Sequence, residues 1–189
     1  LFLAITNLLF LTVSFYTVGY LASQGQTVPQ HPDDEPPFIS FPEAVFTGSL
    51  LLFLTAMTLV VTSHHWGLMW VAVEATTLAS APLIYFHRCP KSLEATWKYL
   101  VICSVGIALA LLGNFFLAVA AQSCREVPVH LTMADLEHHA RQLDPRWLKA
   151  AFLLLLVGYG TKMGLAPMHT WLPDAHSEAP SMVSALLSG

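Results

Sequence analysis

Two residues stand out for where their charge falls. Glu74 comes eight residues after Trp66, in a run otherwise apolar or hydroxylic, and Lys162 comes 15 residues after Trp147, beyond AFLLLLVGYG. Helical rise places them about 12 Å and about 22 Å along their segments. An unpaired charge within hydrocarbon is costly, so it survives where it faces a bundle interior, takes up a proton or meets a cation or counter-charge. Burial favours a neutral amine and a neighbouring carboxylate favours a charged one. Alternating those settings around a lysine would load and release a proton. Two plainer readings stand beside this one: a glutamate that only locks helices through hydrogen bonds, and a lysine whose stem snorkels to water.

Lys98 follows Glu94 by four residues, a same-face helical pair. It serves either as an interface anchor or as a group standing between Glu74 and Lys162. His169 and His176 flank TWLPDA, with Asp174 and Glu178 close in sequence. Histidine titrates near neutral pH, so this set could relay protons between water and the interior, or equally cap helices. The adjacent pairs His64-His65 and His138-His139 should diverge on a helix and hold no complete ligand set, which argues against a metal. Cys89, Cys103 and Cys124 lie 14 and 21 residues apart, matching neither a metal site nor a disulfide framework. Cys103, inside an apolar run, reads as a core residue. The chain has no phosphate loop, dinucleotide fingerprint or nucleophile elbow.

The elements around these residues point to lipid as the solvent. Only 11% of the 189 residues are charged and 55% are hydrophobic, whereas a soluble domain carries about a quarter charged. Net charge is -4 with eight basic residues spread thinly, which excludes a nucleic-acid face. The expected fold is an all-α, polytopic transmembrane bundle. Residues 1–22 form a transmembrane helix and 23–42 an extramembrane loop holding Asp33, Asp34 and Glu35. Residues 43–122 supply three transmembrane helices, including the Glu74 helix, in which Gly106 and Gly113 permit close contact. Residues 123–145 form a second loop, where Leu131, Leu136 and Leu143 share a side and suggest a short interfacial helix. Residues 146–189 hold a broken transmembrane helix and the start of the next. The break is expected near Gly158–Lys162, with Gly158 and Gly160 interrupting the helix and Gly164 and Pro167 opposing its continuation. Broken membrane helices commonly mark ion sites. The chain starts and stops within apolar runs, without a signal-peptide pattern, so both ends read as cuts through a longer protein.

These motifs resemble a known superfamily. TKMGLAPMHTWLPDAHSEAPSMVSALLSG, Thr161 to Gly189, is similar to the signature of antiporter-like membrane subunits. Such subunits occur in respiratory complex I (NADH-quinone oxidoreductase), membrane-bound hydrogenases and multisubunit cation/proton antiporters. TWKYLVICSVGIALALLG, Thr96 to Gly113, more specifically resembles hydrogenase-4 component F and formate hydrogenlyase membrane subunits, and VEATTLASAPLIYF matches their glutamate helix. The resemblance implies two inverted five-helix bundles, of which this chain holds the first and the helix before it. It implies that Glu74 is the family's membrane glutamate, Lys162 the lysine of the broken helix, and Lys98 a further basic position associated with the proton route in some members. It also implies a proton-translocating, non-catalytic subunit of a redox-driven hydrogenase or complex I-like assembly in a prokaryotic inner or plasma membrane. Partners would be lipids and the assembly's membrane and peripheral subunits; the cargo would be protons or sodium. No cofactor is expected in this chain, and any nickel–iron centre or iron–sulfur clusters would belong to partner subunits. A multisubunit sodium/proton antiporter subunit and a non-conducting membrane anchor are the alternatives. One departure is a histidine that some relatives carry near the end of the VSAL segment; here the chain reads Leu187-Ser188-Gly189, so another group or water would serve.

Overall fold

Apolar helices that face lipid need no covering layer, and the computed structural model is built accordingly. It describes residues 1–24, 42–122 and 130–188. Residues 25–41 of the first expected loop and 123–129 of the second, including the acidic cluster at Asp33–Glu35 and Cys124, lie outside the described residues. The helices are α1 (Phe2–Gln24), α2 (Glu43–Thr62), α3 (Trp66–Ile84), α4 (Pro90–Gln122), α5 (Met133–His138), α6 (Pro145–Lys162), α7 (Trp171–Glu178) and α8 (Ser181–Ser188). Among the described residues the only β contact is an isolated bridge between His65 and Thr132. Four helices, α1 to α4, are long and apolar enough to cross a membrane. They turn bulky apolar side chains outward, among them Leu8, Leu11, Phe15, Leu51, Val101 and Phe115. In water that surface would be an aggregation liability; in a bilayer it is the ordinary exterior. The chain is a polytopic membrane bundle.

Local signals account for the helix ends. Asp144 caps α6 by accepting a hydrogen bond from the Arg146 amide at 2.8 Å, with Pro145 in the first turn. The Thr132 hydroxyl caps α5 by accepting from Asp135 at 3.2 Å, and His65 Nδ1 caps α3 by accepting from Gly67 at 3.1 Å. Leu136 and Leu143 bury together against α4 and α6, with Leu131 packed beside them, so the three leucines share a face as their spacing requires.

The break after α6 is displaced from its expected start. Gly158 and Gly160 lie inside the helix, which runs unbroken to Lys162. The stop is Gly164, whose φ of +72° lies in the left-handed region that favours glycine. Its amide bonds the Thr161 carbonyl at 3.2 Å, and the Leu165 amide bonds Gly160 at 2.9 Å, which together make a Schellman end. Gly158 has a different task. A Cβ there would stand 2.6 Å from the Ala110 amide nitrogen, and one at Gly106 would stand 2.7 Å from Thr161 Cβ. These glycines let α4 and α6 pack backbone to backbone, and Gly113 does the same against Leu155.

Candidate functional site

The contacts Trp70–Ile107, Glu74–Ser104 and Ser80–Tyr99 run in reverse order along α3 and α4, so the two helices are antiparallel and share one seam. From α3, Glu74, Thr77 and Ser80 recur every three residues; Glu74 and Ser80 bond α4, and Thr77 bonds Lys162 of α6. The Ser104 hydroxyl donates to Glu74 Oε1 at 3.0 Å. Glu74 Oε2 is buried and has no hydrogen-bond partner among the described residues. One helical turn along α3, Lys162 Nζ donates to Thr77 Oγ1 at 3.0 Å and to the Tyr99 hydroxyl at 2.5 Å. The same hydroxyl lies 2.7 Å from Ser80 Oγ, and the ammonium stands 4.6 Å from the centre of the Tyr99 ring.

Helix packing fixes this cluster. Tyr99 is fully buried, with its ring 5.0 Å from that of Trp171. Trp171 Nε1 donates to the Thr161 carbonyl at 2.9 Å, tying α7 to the end of α6 beside Lys162. The lysine occupies the last turn of α6, where the partial negative charge of free carbonyls favours a cation. Glu74 and Lys162 thus share a seam about one turn apart, without an ion pair between them. The buried Cys103 is within electrostatic reach of both.

Lys98 stands elsewhere. Its ammonium lies 2.8 Å from Glu94 Oε1 and 2.8 Å from Asp174 Oδ2, 44% of its side chain is exposed, and it contacts neither Glu74 nor Lys162. These are the only two ion pairs among the described residues. They line a cleft of about 150 Å³ with Lys91, Ser177 and Glu178.

The remaining candidates disperse. His176 Nδ1 lies 2.6 Å from Ser184 Oγ, joining α7 to α8. Glu178 Oε2 receives the Cys89 thiol at 3.9 Å and acts electrostatically on His87, whose Nε2 is 3.0 Å from the Tyr20 hydroxyl. Burial pushes His87 below its ordinary pKa, and the Glu178 charge partly opposes that shift. His169 is exposed in the break, and its ring joins none of these bonds. The His138 and His139 rings stand 4.9 Å apart rather than diverging, because α5 ends there. Among the described residues no three His, Cys, Asp or Glu side chains gather where they could hold a metal.

Sequence reasoning missed the hydroxyls that receive the two charges: Thr77, Ser80, Tyr99 and Ser104. A partial signal existed, since Thr77 and Ser80 follow Glu74 at helical spacing in an otherwise apolar segment.

With this geometry in view, known proteins place the chain. The model of the NADH:quinone oxidoreductase/Mrp antiporter transmembrane family matches residues 63–189. A hydrogenase-4 component F homolog of Methylacidiphilum infernorum is 38% identical over 189 residues, covering 100% of this chain and 38% of the relative. NADH-quinone oxidoreductase subunit N of Deinococcus radiodurans is 34% identical over 153 residues, covering 79% of this chain and 29% of the relative. The chain therefore spans well under half the length of these relatives. In fold, it is similar to a chain of the membrane-bound sulfane sulfur reductase, an archaeal respiratory membrane complex. The TM-score is 0.74 at 22% identity, over 97% of this chain and 34% of that one.

Proposed function

The chain belongs to the NADH:quinone oxidoreductase/Mrp antiporter transmembrane family, and from that premise we propose that it is part of a proton-translocating subunit of a redox-driven, hydrogenase or complex I-like assembly. Glu74 and Lys162 are the groups that exchange protons. Lys98, with Asp174, sets the charge at the wet end of the route, and His176 and Glu178 serve as structural or relay groups beside it. The redox centres, including any nickel–iron or iron–sulfur groups, belong to partner subunits, and the setting is a prokaryotic inner or plasma membrane.

One observation carries the reading: a half-satisfied carboxylate and an ammonium held by neutral hydroxyls share one intramembrane seam, without being paired. An uncompensated buried charge is strongly destabilising, so a purely structural role does not account for two such groups left unpaired so near each other. Held one turn apart, each has a proton state that responds to a small shift of α6 against α3. Bringing the charges together favours the ion pair; parting them favours neutral forms. Electron transfer in a partner subunit supplies the shift, and no bond of a substrate breaks in this polypeptide.

The test is proton movement by the assembled complex in proteoliposomes, with its redox donor supplied. Glu74→Gln keeps the Ser104 contact and removes the titrating group, and translocation is expected to fall about tenfold or more while assembly is preserved. Unchanged translocation in an intact Glu74→Gln complex would support the membrane-anchor alternative instead. Sodium-dependent proton movement without any redox donor would favour the antiporter alternative, which the family's description also includes.

A further inference from the structure

Three turns along α4 from Cys103, on the same buried face, lies a polar group that the Glu74–Lys162 seam does not use. Asn114 is 5% exposed, and both its amide nitrogen and its amide oxygen are buried without a hydrogen-bond partner among the described residues. The Tyr159 hydroxyl on α6 is buried in the same condition. The two side chains face each other across the α4–α6 contact and interact through a hydrogen bond too poorly aligned to satisfy either group. A buried carboxamide and phenol with only each other as partners leave polar capacity unmet, and an apolar pair would pack there at lower cost. The neighbouring contacts are tight: Gly113 is against Leu155, and Gly158 is against Ala110 and Gly106. Poor packing therefore does not account for the orphaned groups.

We propose that Asn114 and Tyr159 bind internal water on the α4–α6 seam and thereby order the aqueous leg of the proton route between Glu74 and the α5 end of the bundle. This inference rests on the proton-translocation reading of Glu74. A carboxamide offers two donors and an acceptor, and a phenol offers one donor and acceptor capacity, enough to hold a water in fixed orientation. Neither group needs to change charge, so both are positioning residues. The placement fits that leg. Contacts Gly106–Thr161, Ala110–Gly158 and Gly113–Leu155 make α6 antiparallel to α4, and Tyr159 precedes Lys162 by one turn. Helical side chains lean toward their own N-terminus, which carries the phenol away from Lys162 and toward Asn114. Asn114 itself lies ten residues beyond Ser104, about 15 Å further along α4. Trp70 Nε1 occupies the interval by donating to the Ile107 carbonyl at 2.8 Å. Polar contacts therefore recur along α4, from the Lys98 cleft through Ile107 on the α3 side to Asn114 on the α6 side.

The assembled complex tests this with Asn114→Leu and Tyr159→Phe, alone and together, beside Glu74→Gln. The Leu and Phe variants remove unsatisfied polar atoms, so thermal stability should hold or rise. Proton translocation should nevertheless fall, by about tenfold in the double variant, roughly the worth of one hydrogen-bonded link. Asn114→Ser, which retains a hydroxyl and leaves room for water, should keep most of the rate. A map of the complex resolving ordered water should show density within hydrogen-bond distance of Asn114 and Tyr159, lost in Asn114→Leu. Full translocation by the double variant, with Glu74→Gln blocked, overturns this inference alone. A dry seam in the map overturns it too. If Glu74→Gln also translocates normally, the parent reading falls and this one with it.

Discussion

Lys98 and Lys162 bring the same ammonium into opposite settings. Lys98 sits in the N-terminal part of α4 between two carboxylates, each at 2.8 Å, with 44% of its side chain exposed. Lys162 ends α6 inside the bundle and is held by Thr77 and Tyr99, neither of which carries a counter-charge. Exposed ion pairs exchange readily with water and contribute little to stability. A cation held by hydroxyl dipoles in low dielectric is sensitive to every neighbouring charge, because Coulombic terms there are strong. The difference is one of surroundings: Lys98 is paired with two carboxylates, whereas Lys162 is held by neutral hydroxyls. It is the unpaired lysine, not the paired one, that shares its seam with Glu74.

The sharpest way to break that comparison is to remove each ammonium in turn from the assembled complex. Lys162→Met should stop proton translocation almost completely, a loss of about tenfold or more, because no other cation on the seam can replace it. Lys98→Met leaves Glu94 and Asp174 without their cation and should reduce the rate several-fold at low salt, less at high salt, where exposed charges are screened. Translocation assays at two ionic strengths check both. Equal losses at the two positions would show that the contrast in their surroundings has no functional weight.

A second prediction concerns what holds Lys162 in place. Gly158→Val puts a branched side chain where a Cβ already stands 2.6 Å from the Ala110 backbone nitrogen. Overpacking of this kind costs about 1–3 kcal/mol, and here it also pushes the end of α6 away from α4 and Tyr99. The expected outcome is a lower unfolding midpoint together with impaired translocation. A variant that loses stability but translocates normally would mean that the seam tolerates displacement.

That glycine also marks where the sequence misled. Glu74 and Lys162 stand out in sequence because a charge inside an apolar run is costly, and the fold brings both to one seam. The helical architecture was legible from long runs with little to cover them. Gly158 was ambiguous, since glycine serves both to interrupt a helix and to admit a neighbouring backbone, and only the neighbour decides between them. Gly164 did end the helix, through a backbone angle that local sequence can suggest. Tyr99, Thr77, Ser80 and Ser104 escaped notice because hydroxyls in membrane helices often bond their own carbonyls, as Ser80 also does to Thr76 at 2.8 Å. Their second role depends on the register between α3 and α4, which one helix's sequence does not contain. His169 shows the converse: a residue type suited to proton relay stands exposed in the break, while the unremarked His87 is packed between Tyr20 and the influence of Glu178.

His87 provides the mildest probe of the wet end. Among the described residues, Tyr20 of α1 and Glu178 of α7 are titratable groups that act on it from neighbouring helices. Burial is the larger influence and lowers its pKa from the ordinary 6.5, against the opposing pull of Glu178. As pH falls, the unfolded chain therefore takes up this proton before the folded chain does. The site costs no stability above the ordinary histidine range and progressively destabilises the fold as pH drops through it. Thermal unfolding of the purified complex from about pH 7.5 down to about pH 5.5 should show a steeper fall for wild type than for His87→Gln. Parallel curves would mean that protonation at this end is absorbed without disturbing the Tyr20 contact. A steeper wild-type curve, with Lys162-dependent translocation unchanged at neutral pH, would separate titration at the wet end from proton exchange on the inner seam.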